Sequence, residues 1–337
     1  MGAEFEAVAA RGDVEGALRQ IGVGTQPGAP APGIAVLVPC YNEAVTIAQV
    51  VADFRAALPQ AKVYVYDNNS TDGTADIARA AGAIVRVERR QGKGNVVRRM
   101  FGEIEADCYI MVDGDATYDA GKATELADMV TRQGYDFVNV AREHTSADAY
   151  RLGHQFGNHA LTGMVRFFFG RETADMLSGY KGFSRRFVKT FPAMSSGFET
   201  ETELTVHALE MRLPMGEIFA PYHERPVGSV SKLNTYRDGA RIIGLISRLI
   251  KDERPLQFFG LIGLLGCLLG MGLGTPVVIT YLKTGLVPRL PTAVLSVGII
   301  MLGFLSIFTG IILDAIAKAR REAKQIAYLA IPAVRAE

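Results

Sequence analysis

The sequence predicts an α/β fold, a mostly parallel and doubly wound sheet followed by a two-helix membrane hairpin. Three observations predict it. Short apolar runs rich in β-branched residues alternate with amphipathic helical stretches from Ile34 to Arg142, the pattern of strands joined by crossover helices. The links between them are short and carry glycine, proline, asparagine and aspartate. No charge lies between Arg254 and Lys283, and a second uncharged run covers Leu290 to Leu313. Each run is long enough as a helix to cross a hydrocarbon core of about 30 Å.

Each element can be justified in order. Residues 1–33 are an extension that ends in the proline- and glycine-rich tether "GTQPGAPAPG". Its start lacks a basic region followed by an apolar core, so no secretory signal is expected. "IAVLVP" from Ile34 reads as a strand buried on both faces. Ile47, Val50, Val51, Phe54 and Leu58 then recur at helical steps. "KVYVYD" is a second strand, and "STDGTADIARAAGA" a capping cluster with its helix. "AIVRVE", "GNVVRRMFGEIEA", "CYIMVDGD" and "YDFVNVAR" continue the alternation as strand, helix, strand and strand.

In such a sheet, ligands bind at the carboxyl ends of the strands. The unusual residues fall there: Pro39 to Glu43, Asp67 to Asn69, Gly92 to Gly94, Asp113 to Asp115, and Arg142. Taken singly, each has an ordinary explanation. Asn42 is a suitable helix cap, "DNNSTDG" a suitable turn, and Lys93 in "QGKGN" a solvated side chain at a helix entry. As a set at one sheet edge they point to a ligand. In "VDGD", Asp113 and Asp115 are two residues apart, so an extended chain projects both to one side. Two such carboxylates repel unless a cation or base lies between them. Carboxylate oxygens suit Mg²⁺ or Mn²⁺, which also take phosphate oxygens.

"PCYNEAVTI", "DNNSTDGT", "QGKGNVVR" and "VDGDATYD", in this order and spacing, resemble the nucleotide-sugar half of a family 2 glycosyltransferase. The resemblance covers roughly residues 34–235 and implies the glycosyltransferase-A fold, Rossmann-like, with inversion at the anomeric centre. It implies that Pro39, Tyr41, Asn42 and Glu43 wall a nucleoside pocket and that Asp67 binds base or ribose. Asp113, Gly114 and Asp115 would hold the metal and diphosphate of a UDP- or GDP-sugar, with Lys93 and Arg142 adding positive charge.

A second constellation concerns the acceptor. "FETETEL" puts Glu199, Glu201 and Glu203 on alternate positions, which share a face if extended and fan apart if helical. The resemblance implies that a carboxylate near here approaches the reacting sugar, and Glu201 and Glu203 are both candidates. An acidic helix start is the ordinary alternative. Asp175 and "SGYKGFSRR" resemble the segment lining the sugar site. "HERPVGSVSKLNTYRDG" gathers Arg225, Ser229, Ser231 and Lys232, suited to phosphate. Arg151 and Asn158 add another polar pair. The loop is similar to the "R…SK" element of dolichol-phosphate mannose synthases and bacterial polyprenyl-phosphate glucosyltransferases. There basic residues bind the donor diphosphate and the lipid phosphate, so the implied acceptor is a polyprenyl phosphate such as undecaprenyl phosphate.

Residues 236–254 read as an amphipathic interfacial helix, with Ile242, Ile243, Leu245, Ile246, Leu249 and Ile250 beside Arg241, Arg248 and Lys251. Residues 255–314 are the two transmembrane helices, and 315–337 a basic C-terminal helix expected to lie at the surface in the same way. Arg237, Arg241, Arg248, Lys251 and Arg254 precede the hairpin; Lys318, Arg320, Arg321 and Lys324 follow it. That excess places the catalytic domain and both termini on the cytoplasmic side of the inner membrane. The glycines of the first span, Gly260 to Gly274, permit close helix packing, and the resemblance implies a homo-oligomer, a tetramer.

Composition narrows the classes. A net charge of +1 over 337 residues argues against a nucleic-acid partner. Cys40, Cys108 and Cys267 are few and scattered, and read as free thiols. The turn after the first strand lacks the Gly-x-Gly-x-x-Gly of a dinucleotide enzyme. Absence of tryptophan and only two spans disfavour a processive polysaccharide synthase. Transfer to a glycan or protein acceptor, or a catalytically silent membrane scaffold, are the other readings.

Overall fold

Apolar runs become strands where both their faces are covered. In β1 (Ile34–Cys40), Val36, Val38 and Cys40 enter one core while Ala35 and Leu37 enter the other, the two-residue period of a strand between helical layers. A computed structural model of the chain describes residues 33–143, 175–197, 199–223, 225–226, 244, 247–248 and 251–333, all within the unit Gly33–Glu337. Arg151, Asn158, Ser229, Ser231, Lys232, the N-terminal extension and most of 236–254 lie outside the described residues.

The chain continues through α1 (Ile47–Ala57), β2 (Lys62–Asp67), α2 (Thr74–Ala80), β3 (Ile84–Val87), α3 (Lys93–Glu103), β4 (Cys108–Met111), α4 (Ala123–Thr131) and β5 (Phe137–Glu143). Then come β6 (Lys181–Ser184), α5 (Arg185–Thr190), α6 (Thr200–Glu210) and β7 (Met215–Pro221). The sheet order is β3-β2-β1-β4-β6-β5-β7. Only β6 runs against its neighbours β4 and β5; the other pairings are parallel. The mostly parallel, Rossmann-like sheet is therefore present. The antiparallel β6 has a consequence for the site, because its start lies at the edge where β4 and β5 end. Helices α1, α2 and α4 cover one face with Ile47, Phe54 and Val130. Helices α3, α5 and α6 cover the other with Met100, Phe101, Phe187 and Leu204.

His207 of α6 sits in that second core, its ring edge-on to Phe187 and Phe191. Neither ring nitrogen has a hydrogen-bond partner. Burial, with a smaller push from Lys324, lowers its pKa from 6.5 to about 3. The folded state thus keeps a neutral imidazole where the unfolded chain takes a proton. Stability is intact above pH 6.5 and falls between there and pH 3, by about 1.4 kcal/mol per pH unit. His207→Leu is expected to remove this slope and gain about 2 kcal/mol at pH 5. Melting curves of both proteins at pH 7.5 and pH 5 check it; parallel losses would show that His207 is not the group responsible.

Two helices follow, α7 (Pro255–Thr284) and α8 (Leu290–Leu329). Only 17% of each apolar window is buried, and Leu265 and Leu302 are among many large apolar side chains left exposed. A core helix of a soluble protein buries such residues, so these faces suit lipid. The helices touch along small residues spaced by seven, Gly263 and Gly270 against Ser296, Gly303 and Gly310. A Cβ on Gly263 would stand 2.5 Å from the Gly303 carbonyl oxygen. Ser296 Oγ donates to the Gly270 carbonyl at 2.8 Å. These glycines, expected to serve packing between helices, are used within the hairpin. The basic segment after Leu313 does not form a separate helix; it continues α8 to Leu329 and packs on the globular part.

Candidate active site

The turns at the carboxyl edge are tied to one another. Asn42, with φ of 52°, accepts at Oδ1 from the Thr71 N–H at 2.8 Å, and its own N–H donates to Ser70 Oγ at 2.8 Å. The Glu43 N–H donates to Thr74 Oγ1 at 2.8 Å. Asn42 therefore joins the first and second turns. The residue before α1 is Thr46, whose hydroxyl donates to the Gly114 carbonyl at 2.7 Å and so reaches the "DGD" turn. Asn68 extends the ties to a third turn. Its amide donates to the carbonyls of Glu88 and Arg90 and accepts from the Gly92 N–H at 2.7 Å.

Pro39 ends within β1, and Tyr41 stands partly exposed beside it. Asp67 is buried at the end of β2. One of its oxygens accepts from the Ser70 N–H at 3.2 Å. The other, Oδ1, is buried without a hydrogen-bond partner. A native acceptor left in that state needs a reason, and a nucleoside N–H or ribose hydroxyl would supply it.

Glycine is required at Gly92 and Gly94. Gly92 has φ of +129°, and a Cβ there would meet the Ser196 carbonyl oxygen at 2.1 Å; one on Gly94 would meet that of Ser195 at 2.3 Å. This close approach sets Lys93, the first residue of α3, against the start of α6. Lys93 is buried and bridges Asp113 and Glu201, with Nζ 2.5 Å from Glu201 Oε1. Burial works to lower its pKa, but the two carboxylates outweigh it and hold the lysine protonated. Burial, reinforced by Asp113, raises the pKa of Glu201 despite the opposing Lys93 charge. Asp113 opens towards solvent, its side chain 29% exposed, whereas Asp115 is 4% exposed. Asp115 accepts from Thr117 Oγ1 at 2.6 Å and pairs with Arg225 Nη2 at 2.6 Å. The repulsion expected between the two aspartates is thus relieved by one protein cation on each.

Helix α6 resolves how the glutamates fan out. Glu201 points to Lys93, whereas Glu203 accepts from the Met194 and Ser195 N–H groups, each at 2.8 Å. Glu203 is thereby held at the preceding loop and is not brought to the Asp113 cluster. Arg142, expected to face a diphosphate, forms a two-pronged pair with Asp175 at 2.5 and 2.9 Å and lies over the Tyr222 ring. Burial opposes the charge on both partners, yet each stabilises the other's ionised form.

Several contributors were not singled out in the sequence, although Gly179 and Lys181 lie within the quoted "SGYKGFSRR". Lys181 is wholly buried at the start of β6, donates to Asn139 Oδ1 at 2.6 Å and lies over the Phe137 ring. Burial pushes its pKa down to about 8. Asn139 also donates to the Asp175 carbonyl and to Glu217, each at 2.8 Å. Gly179 backs onto Asp113, where a Cβ would come within 2.1 Å of Oδ2. Its N–H donates to the Tyr118 hydroxyl at 2.8 Å. A lysine in the otherwise apolar "YKGF" was the available signal.

The chain is similar in sequence and fold to known proteins. A sequence profile described as glycosyl transferase family 2 matches residues 35–191. Glycosyltransferase AglJ of Haloferax volcanii is 34% identical over 87% of this chain and 97% of its own. A dolichyl-phosphate hexose transferase of the same organism is 27% identical over 66% of this chain and 95% of its own. Among solved structures, glucosyl-3-phosphoglycerate synthase from Mycobacterium tuberculosis with Mn²⁺, uridine diphosphate and phosphoglyceric acid superposes with a TM-score of 0.51 and 21% identity. It covers 66% of this chain and 78% of the other, and at that identity it speaks for the fold alone. With the strand-end turns, the "DGD" pair and a relative matched along nearly its whole length, the chain belongs to glycosyltransferase family 2.

Proposed function

We propose that this chain moves a hexosyl group, with inversion, from a UDP- or GDP-sugar to a polyprenyl phosphate at the cytoplasmic face of a membrane. The observation that carries the reading is the strand edge itself. An orphaned Asp67 oxygen, the Asp113–Lys93–Glu201 bridge and the Asp115–Arg225 pair share one edge of a domain packed on two lipid-suited helices. A relative named for dolichyl-phosphate hexose transfer supports the lipid acceptor.

A divalent metal is part of the reading. Among the described residues no three His, Cys, Asp or Glu side chains gather into a metal cluster. Asp113 and Asp115 offer hard oxygen donors, and the Thr117 hydroxyl lies beside Asp115. That set fits Mg²⁺ or Mn²⁺ taking its remaining ligands from diphosphate and water. Bound there, the ion would neutralise charge developing on the departing diphosphate.

The chain's own residues do the rest. Asp67 orients the nucleoside. Lys93, held protonated, fixes Asp113 and Glu201 and supplies a permanent positive charge beside the reacting centre. Arg225 brings a planar fork suited to phosphate to the same edge. The nucleophile is a phosphate oxygen of the lipid, already ionised near neutral pH, so it needs positioning more than deprotonation. The engagement of Glu201 with Lys93 is compatible with that.

Purified protein in detergent, given Mg²⁺ or Mn²⁺ and a panel of UDP- and GDP-sugars with and without undecaprenyl phosphate, tests the reading. One donor is expected to give a lipid-linked sugar, and a chelator to return the rate to background. Nucleotide release with no lipid-linked product would assign another acceptor; full activity under chelation would remove the metal.

A further inference from the structure

Helix α8 has 40 residues, about 60 Å at the α-helical rise and twice the thickness of a hydrocarbon core. Its packing on α7 reaches Gly310, which lies against Pro255 and Leu256 at the first turn of that helix. The rest of α8 leaves the hairpin and meets first the segment just before α7 and then the globular domain, through three rungs. Arg320 donates to the Asp252 carbonyl. Lys324 Nζ lies 2.8 Å from Glu210 Oε2 and 3.7 Å from Glu253 Oε1. The buried Tyr328 hydroxyl donates to Asp136 Oδ2 at 2.7 Å, while Ser184 Oγ donates to Asp136 Oδ1 at 2.5 Å. Arg186 closes the last rung, its guanidinium 5.2 Å from the Tyr328 ring centre and its Nε donating to the Ile331 carbonyl at 3.0 Å. Residues 320, 324 and 328 are four apart and so share one helix face.

Two of these rungs grip the far end of an element whose near end carries the site. Glu210 ends α6, which begins beside Glu201. Asp136 precedes β5, which ends beside Arg142, and Ser184 ends β6, which begins beside Gly179. Tyr328 stands about 27 Å beyond Gly310 along the helix, and Lys324 about 21 Å. Strand β5 is about 23 Å long and α6 about 16 Å.

We propose that the part of α8 beyond Gly310 is a strut that sets the height of the site above the membrane, with Lys324 and Tyr328 as its positioning residues. Helix α6 and strand β5 each run from their rung to the site edge, so the strut fixes how far that edge stands from the hairpin. The acceptor phosphate of the reading above lies at a lipid headgroup, so the inference deepens that reading and rests on it.

The test uses the full chain with Lys324→Met and Tyr328→Phe combined, a pair that keeps the packed ring and removes both polar rungs. A fluorophore on Val45→Cys, exposed beside the first turn, in a Cys267→Ala background, reports energy transfer to headgroup-labelled lipid in phosphatidylglycerol vesicles. Wild type is expected to show strong transfer and the double variant at least a twofold loss; unchanged transfer would overturn the strut. The same proteins are then compared on undecaprenyl phosphate in vesicles and on short, soluble geranyl phosphate. The strut requires kcat/KM to fall at least tenfold on the membrane-borne acceptor and less than twofold on the soluble one. Equal losses on both would make the rungs mere packing and overturn the proposal. If wild type uses neither acceptor, the functional reading fails, and energy transfer still decides the strut.

Discussion

Asp115→Asn is expected to lower sugar transfer by about 10³-fold while the protein melts close to wild type. The isosteric amide keeps an oxygen for the Thr117 hydroxyl, which now donates to Asp115 Oδ1 at 2.6 Å. On its other side it would turn an N–H₂ towards Arg225, so two donors would face each other. Arg225 is partly exposed and can release its head to water at small cost. Stability therefore changes little. Activity does not escape, because the site loses a hard anionic ligand and the partner that holds Arg225 at the edge. Turnover and melting temperature measured on one preparation separate the two effects. Activity within tenfold of wild type, with metal present, would take Asp115 out of the diphosphate site.

Lys93→Met should be costly in both respects. Lys93 stands between Asp113 and Glu201 in a buried position, and removing one partner of such a network costs about 3–5 kcal/mol. The thioether fills the volume but leaves two carboxylates facing each other. Adding Glu201→Gln removes one of those charges, so the double variant should regain a large share of the lost stability. It should stay inactive, because the lysine charge beside Asp113 would be gone. Denaturation and turnover of the single and double variants form the test. Recovery of activity with stability would make the bridge purely structural, and an unchanged melting point for Lys93→Met would contradict its burial.

The sheet and its functional edge were legible because their signals are local. Apolar runs of strand length, helical spacing from Ile47 to Leu58 and polar turns at strand ends need no knowledge of distant residues. Strand β6 was hidden for the opposite reason. "KGFS" holds a lysine and a glycine and no alternation, and it becomes a strand only because β4 and β5 flank it. The choice between Glu201 and Glu203 was equally closed to local reading. Both satisfy the alternating pattern, and what separates them is the loop at Met194 and Ser195 on one side and Lys93 on the other. Lys93 was expected to add charge at the diphosphate, but its partners were closed to local reading, since they come from the turn after β4 and from α6. The glycines of α7 declared close packing, but not that the partner would be α8 of the same chain. Arg142 shows the converse: a cation at the right edge whose charge is taken by Asp175.

The asparagine ties between the turns bear on the thermodynamics of donor recognition. Asn42 and Asn68 fasten three turns of the proposed nucleotide wall to one another. Ordering flexible loops is a main cost of association, and here folding has already met it. On the reading proposed above, affinity for the nucleotide would come almost directly from the contacts it makes. A wall tied in this way would have little freedom to reshape itself around a different base.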